Sequence, residues 1–258
     1  MVTVDIILQA HRGVESEYPY NTMASFRAAI EQGYPRIELD PALTKDGVIV
    51  VLHDKVINAT ARKSDGSVLP EQVRISDITY EEADSYDYGL GMGENFRGER
   101  IPLLRDVFEL CAKNGVSVKV DNKLWGFPEK DVDRVFDMIH ETGVKTCISC
   151  FDAENAIAVS KRVPTCHVSF DGITDEAILK KVSSEVEKER FEIWLPVEYH
   201  VASWAPKEWF ATKEKCERVK KYALLALWAI GSKEAYDKAV REYEPYAVET
   251  NGSIKNCK

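Results

Sequence analysis

The sequence predicts an α/β protein built as a closed (β/α)8 barrel with a small cap inserted after the second strand. Three observations predict it. A chain of 258 residues fits one large core or two small ones, and single α/β barrels sit at the upper end of that range. Eight strand-like runs alternate with amphipathic helix-like runs over nearly the whole length. Side chains able to do chemistry recur at the C-terminal ends of those runs, where barrels build their sites. A doubly wound sheet of six or seven strands is the competing arrangement.

The first strand is expected at Val4–Gln9, leading directly into His11-Arg12-Gly13. Asn21–Gln32 follows as a helix with Met23, Phe26 and Ile30 on one side, closed by Gly33, a usual residue just past a helix end. Pro35–Leu39 is the second strand. Asp46-Gly47 then marks a tight turn, and the β-branched run Val48–Leu52 completes a hairpin that ends in His53. From Asp54 to about Arg100 the chain turns polar and glycine-rich. That stretch reads as a cap over the barrel mouth, an insertion into one domain spanning 1–258 and not an independent core.

The remaining strands are expected at Ser117–Asn122, Thr146–Phe151, Thr165–Phe170, Glu192–Glu198, Tyr222–Ala229 and Tyr246–Thr250. Between them the apolar spacing predicts helices at Glu129–Thr142, Asp152–Arg162, Thr174–Arg190, Pro206–Lys221 and Ser232–Tyr243.

Charge narrows the function. With 34 Lys and Arg against 43 Asp and Glu, the net charge is -9. No cationic excess is available to displace counterions from a nucleic acid or to hold an anionic membrane. A phosphate ligand would need cations gathered locally. The longest apolar run, Tyr222–Ile230, is well short of the roughly 20 residues that span a bilayer. The N-terminus meets an acid at Asp5 and lacks the basic start of a signal peptide. Six cysteines are too sparse for a disulfide scaffold. Cys147 and Cys150 would face opposite ways on a strand and cannot clamp one metal. The thiols read as reduced and the protein as cytoplasmic; oligomeric state stays open.

Several residues carry candidate chemistry. Glu38 and Asp40 lie two apart and share a strand face, with Ile37 and Leu39 turned away. Asp121 and Lys123 repeat that spacing on the next barrel strand, with Val118 and Val120 facing out. Three carboxylates at one barrel end make an oxygen-rich set suited to Mg²⁺ or Ca²⁺ better than to zinc. Arg12 and Lys123 supply local positive charge for a phosphate. His11 and His53 could act as general base and general acid. Phosphodiester cleavage needs in-line positioning, charge neutralisation and protonation of the leaving alkoxide, and this set covers all three.

Around this set, Trp228 reads as a wall of the substrate pocket. Trp204, Trp209 and Phe210 read as packing a long loop, or else as contacting a head group. Lys119 is expected one layer below Asp121, paired with an acid such as Glu38 or Glu192. His140 is expected in solvent, and His200, with Glu198, is a candidate to reach the mouth.

Ala10-His11-Arg12-Gly13, Asn21-Thr22 with Ser25-Phe26, Ile37-Glu38-Leu39-Asp40, Thr44-Lys45-Asp46-Gly47 and His53-Asp54 resemble the glycerophosphodiester phosphodiesterase family in order and spacing. Ile101-Pro102-Leu103-Leu104 looks like that family's start of the next helix; Val120-Asp121-Asn122-Lys123 and Leu227-Trp228-Ala229-Ile230 carry the likeness into the second half. The resemblance implies a TIM barrel with an inserted cap, metal ligands Glu38, Asp40 and Asp121, and catalytic His11 and His53. It implies phosphate contacts from Arg12 and Lys123. The implied reaction converts a glycerophosphodiester to glycerol 3-phosphate and an alcohol such as choline or ethanolamine.

The pattern departs at three places. Tyr20 stands where the family has glutamate, Asp121 is one methylene shorter than the usual ligand, and Gly231 removes a polar side chain from the mouth. Competing readings are a phosphodiesterase of the same superfamily directed at lysophospholipids, and a non-catalytic barrel that binds a phosphorylated ligand. Sphingomyelinase D toxins share the acid and histidine set, but the His-Arg-Gly and His-Asp contexts disfavour them.

Overall fold

The computed structural model describes residues 6–252 and 254. Val4 and Asp5 of the expected first strand, and Cys257, lie outside them. In chain order the elements are β1 (Ile7–Ala10), α1 (Met23–Glu31), β2 (Arg36–Leu39), β3 (Pro41–Leu43), β4 (Ile49–Val51), α2 (Tyr80–Asp84) and α3 (Leu104–Lys113). They continue with β5 (Ser117–Val120), α4 (Glu129–Thr142), β6 (Thr146–Ser149), α5 (Ala153–Arg162), β7 (His167–Asp171) and α6 (Glu176–Ser183). The last are β8 (Phe191–Pro196), α7 (Lys213–Tyr222), β9 (Leu224–Ile230), α8 (Lys233–Tyr243) and β10 (Ala247–Thr250).

Eight strands close a parallel barrel in the order β1-β10-β9-β8-β7-β6-β5-β2, with β2 paired back to β1. This is the expected (β/α)8 barrel, and the doubly wound alternative is excluded. Alternation along each strand sorts its side chains. Leu8, Ile37, Leu39, Val118, Val120, Ile148, Val168, Phe170, Ile193 and Leu227 turn outward and form the main apolar core with the helices. Glu38, Lys119, Ser169, Glu192 and Glu249 belong to the opposite parity and are also buried.

The barrel interior therefore combines paired charges with a small apolar cluster of Trp194, Ala226 and Ala247. On the floor, Arg36 Nη1 donates to both Glu192 carboxylate oxygens at 3.0 and 2.8 Å. His167 Nδ1 donates to Glu192 Oε1 at 2.7 Å, and Trp194 Nε1 donates to Oε2 at 3.0 Å. Burial opposes ionisation of Glu192, but Arg36 and His167 outweigh it and hold the carboxyl at about 2. Lys119 pairs with Asp171 at 3.1 Å, not with Glu38 or Glu192: the acid two strands away on β7 faces it across the interior.

Two expected helices are shorter than their sequence pattern. Thr174–Arg190 divides into α6 and a single turn at Lys188–Arg190, and Pro206–Lys221 holds a single turn at Lys207–Trp209 before α-helix begins at Lys213. The second begins there because Thr212 caps it, its side chain accepting the Lys215 N–H.

The excursion after β2 also differs from expectation. Its hairpin, β3 paired antiparallel with β4, stands outside the barrel. Beyond the hairpin, Ile57, Ala61, Leu69, Ile75, Ala83, Tyr88 and Ile101 join Val50 and Leu52 in an apolar cluster separate from the main core. These residues are spaced too irregularly for a helix or strand period, so the sequence shows only the polar residues between them.

Among the described residues no helix is long and apolar enough to cross a membrane. The five described cysteines are buried and free.

Candidate active site

The site begins with backbone strain. Arg12 and Asn21 adopt left-handed φ values of 50° and 55°, a conformation that costs a non-glycine residue on the order of 1–3 kcal/mol. The two residues are tied together, the Asn21 N–H donating to the Arg12 carbonyl at 3.0 Å. The result is convergence on one carboxylate. Asn21 Nδ2 donates to Asp40 Oδ2 at 2.8 Å, and Arg12 Nε lies 3.3 Å from the same oxygen. Gly13 must be glycine here, since its φ is +83° and a Cβ would fall 2.3 Å from Ser25 Oγ.

Glu38 leaves the end of β2, and Asp40 follows it immediately. Asp121 is not on a strand: β5 stops at Val120, and Asp121 caps the turn Asn122–Gly126 by accepting the Lys123 N–H at 3.0 Å. Even so, Glu38, Asp40 and Asp121 bring one carboxylate oxygen each within 4.8 Å of one another. Lys123 Nζ bridges Asp40 at 2.6 Å and Asp121 at 3.2 Å. Burial disfavours the Asp40 charge, but Lys123, Arg12 and His53 hold it at about 2. Glu38 shifts the other way: burial and the neighbouring Asp40 push its carboxyl well above the usual range. Its polar contacts are the Arg12 N–H at 3.2 Å and His11 Nε2 at 3.9 Å. A buried carboxylate so poorly compensated, beside two others, fits a hard divalent cation.

Both histidines line the cavity that holds this cluster. His11 Nδ1 donates to Glu15 at 2.8 Å. Burial lowers its basicity, but Glu249, Glu15 and Glu38 raise it more, to about 9. His53 Nδ1 donates to Asp54 at 3.1 Å; burial keeps its pKa below the ordinary histidine value. Tyr20, the departure in the Asn21-Thr22 motif, donates to Asp54 Oδ2 at 3.3 Å and carries the Arg12 guanidinium 5.5 Å from its ring centroid. Burial and Asp54 push the phenol up to about 12.

The eight residues expected from sequence to serve catalysis, phosphate or metal, His11, Arg12, Glu38, Asp40, His53, Asp121, Lys123 and Trp228, line one cavity of about 480 Å³ at the C-terminal end of the barrel. From the excursion only His53 reaches it. Residues 54–100 are not among its lining. His200 does not line the cavity: its side chain is exposed, 3.5 Å from Glu198. Glu198 instead accepts the Gly231 N–H at 2.9 Å. His140 is exposed.

Sequence reasoning missed Glu15, Asp171 and Glu249. Glu249 shares a face of β10 with Ala247, so strand parity alone would have turned it inward. Glu15 lies in a loop, where no spacing rule points to a partner. Trp204 and Trp209, left undecided by the sequence, both line the cavity.

Residues 11–177 match the glycerophosphoryl diester phosphodiesterase family. The chain is 38% identical over 160 residues to a glycerophosphodiester phosphodiesterase of Caldanaerobacter subterraneus subsp. tengcongensis, covering 60% of this chain and 62% of that protein. It is 32% identical over 154 residues to one from Bacillus altitudinis, covering 58% of this chain and 56% of that protein. It thus spans about three fifths of the length of these curated relatives. Among solved structures, an Oleispira antarctica phosphodiesterase in complex with the product sn-glycerol-3-phosphate superposes with a TM-score of 0.74 at 17% identity, over 95% of this chain and 93% of that one. A glycerophosphodiester phosphodiesterase from Thermotoga maritima does so with a TM-score of 0.65 at 24% identity, over 96% and 95%. Barrel, motif order and matched span agree: this chain belongs to the glycerophosphoryl diester phosphodiesterase family.

Proposed function

We propose that the protein hydrolyses glycerophosphodiesters to glycerol 3-phosphate and an alcohol, and that its site uses a divalent cation, Mg²⁺ or Ca²⁺. The observation that carries this reading is the convergence of two histidines, three carboxylates, Arg12 and Lys123 on one cavity. A site that only bound phosphate would not need a pair of imidazoles, each held by its own carboxylate. The product named for the Oleispira antarctica relative agrees with it.

In this mechanism Glu38, Asp40 and Asp121 hold the cation, which when bound neutralises phosphate charge and polarises the reacting centre. Arg12 and Lys123 contact the non-bridging phosphate oxygens. His11 and His53 both face the cavity that holds the cluster. One accepts the proton of the attacking oxygen while the other protonates the alkoxide that leaves as the P–O bond breaks. Glu15 and Asp54 each accept the Nδ1–H of one imidazole, which leaves Nε2 free for proton transfer. Trp228 walls the substrate. The protein works as a single domain on a small molecule, in the cytoplasm.

The test is release of glycerol 3-phosphate from glycerophosphocholine after EDTA treatment and separate addition of Mg²⁺ or Ca²⁺. Release restored by one cation is the expected result. Absence of release with either cation, while the protein remains folded, would overturn the assignment. A second substrate class has one observation in its favour. An apolar groove of about 680 Å³, including Leu52, Ile75, Trp125 and Phe127, opens beside His53 and Lys123 and could receive the acyl chain of a lysophospholipid. Lysophosphatidylcholine therefore belongs in the same assay.

A further inference from the structure

The mouth cavity has an aromatic wall of which the reaction above uses only Trp228. Trp204 and Trp209 arrive on the loop after β8, and Trp228 rises from β9. The Trp204 and Trp228 rings lie 5.3 Å apart with planes tilted by 34°. Trp209 rests on Gly172: that residue has φ +78°, and a Cβ on it would fall 2.1 Å from Trp209 Cδ2. Any larger residue at 172 would push the indole out of place.

Trp204 is 71% exposed. An indole buries more apolar area than almost any side chain, so one held open at a cavity rim marks a surface awaiting a partner. Glu249 lines the same cavity, buried; its carboxylate accepts from Gln9 Nε2 at 2.5 Å and lies within electrostatic reach of His11, Arg12 and Lys119. The other deep acid of the cavity, Asp171, is already neutralised by Lys119. Indole faces sharing a cavity with a carboxylate are the chemistry that receives an organic cation.

The opposite side of the mouth has the reverse character. The groove beside His53 is lined by Lys45, Lys55 and Arg74 against a single acid, Asp54, a net positive charge that disfavours a cation. A phosphodiester held between His11 and His53 therefore meets indoles and an acid at one end, and an apolar floor with basic edges at the other.

We propose that Trp204, Trp209, Trp228 and Glu249 form a subsite for a cationic alcohol head group, best filled by a quaternary ammonium such as choline. The inference rests on the phosphodiesterase reading above and names its leaving group. It also places His11, which lines the cavity on the Trp204 and Trp228 side, next to the oxygen that leaves with that head group.

The test compares kcat/KM of the metal-loaded protein on glycerophosphocholine, on glycerophosphoglycerol, and on the neutral isostere in which 3,3-dimethylbutanol replaces choline. The expected preference for the choline ester over its isostere is about tenfold. Trp204→Ala and Trp209→Ala should shrink that ratio several-fold, mainly through KM, and Trp204→Phe should restore part of it. A binding measurement runs alongside: choline should quench tryptophan fluorescence saturably, 3,3-dimethylbutanol should not, and Trp204→Ala should weaken the choline response. Equal kcat/KM for the choline ester and its isostere, or variants that slow all three substrates alike, would overturn the subsite while leaving the phosphodiesterase intact. If none of the three esters is cleaved, the phosphodiesterase reading fails, and the choline titration still decides the subsite.

Discussion

Asp40 collects more partners than any other acid in the site: a guanidinium, an amide and an ammonium all meet it. Two of these come from Arg12 and Asn21, the residues with left-handed backbones beside the mouth. The motif residues were legible because their order along the chain survives folding. Their supports were not. Glu15 and Tyr20 act through loop geometry that no periodicity encodes, and Tyr20 replaces a carboxylate with a phenol that reaches Asp54 instead. At this scale the expectation concerns the two imidazoles. His11→Ala and His53→Ala should each lower kcat on glycerophosphocholine by on the order of 10²–10⁴-fold, with circular-dichroism melting within a few degrees of the parent. Full turnover in either variant would remove that histidine from the proton transfers.

The strands were easier to read than the helices around them. An outward row such as Ile37 and Leu39 alternating with Arg36 and Glu38 carries a period of two that few other structures share. The helices at Thr174–Arg190 and Pro206–Lys221 were read too long because polar caps and turns share residues with a solvated helix face. Nor did the parity of β2 and β8 reveal that Arg36 and Glu192 would meet across the barrel floor. That meeting sets an acid limit on stability. In the folded state Glu192 titrates at about 2, against an ordinary 4.5. The native state thus keeps the carboxylate charged where the unfolded chain would protonate it. The pair's contribution, on the order of 3 kcal/mol, is fully present above about pH 4.5 and is lost as pH falls toward 2. Urea midpoints should drop between pH 5 and pH 3, and Glu192→Gln, less stable throughout, should show a flatter profile over that window. Parallel profiles would mean the pair is not what fails in acid.

Across the whole molecule, a net charge of -9 coexists with a mouth where Arg12, Lys119 and Lys123 pair with Asp40, Asp171 and Asp121, while Glu38, among the described residues, meets only the distant His11 Nε2 at 3.9 Å as an ion pair. A bound divalent cation would complete that balance, and folding stability should report it. At a free Mg²⁺ or Ca²⁺ concentration about 100-fold above Kd, linkage adds about 2.7 kcal/mol. For a chain of this size that raises Tm by roughly 5–10 °C. Differential scanning calorimetry with and without EDTA should show the rise in the parent and lose most of it in Glu38→Ala. An equal rise in the variant would place the cation elsewhere.

The hairpin that delivers His53 has a consequence for how this fold can vary. His11 follows a barrel strand, but His53 hangs from a ladder of three residue pairs, Pro41 with Val51, Ala42 with Val50 and Leu43 with Ile49. The hairpin is moored by the Leu52 N–H to the Asp40 carbonyl and by the Val51 N–H to the Pro102 carbonyl, each at 2.9 Å. In such a ladder a slip of one residue turns every side chain to the other face. One of the two imidazoles is therefore set like a dial with two positions, and the apolar residues between Ile57 and Ile101, packed on Val50 and Leu52, can vary only in ways that keep the dial at its mark.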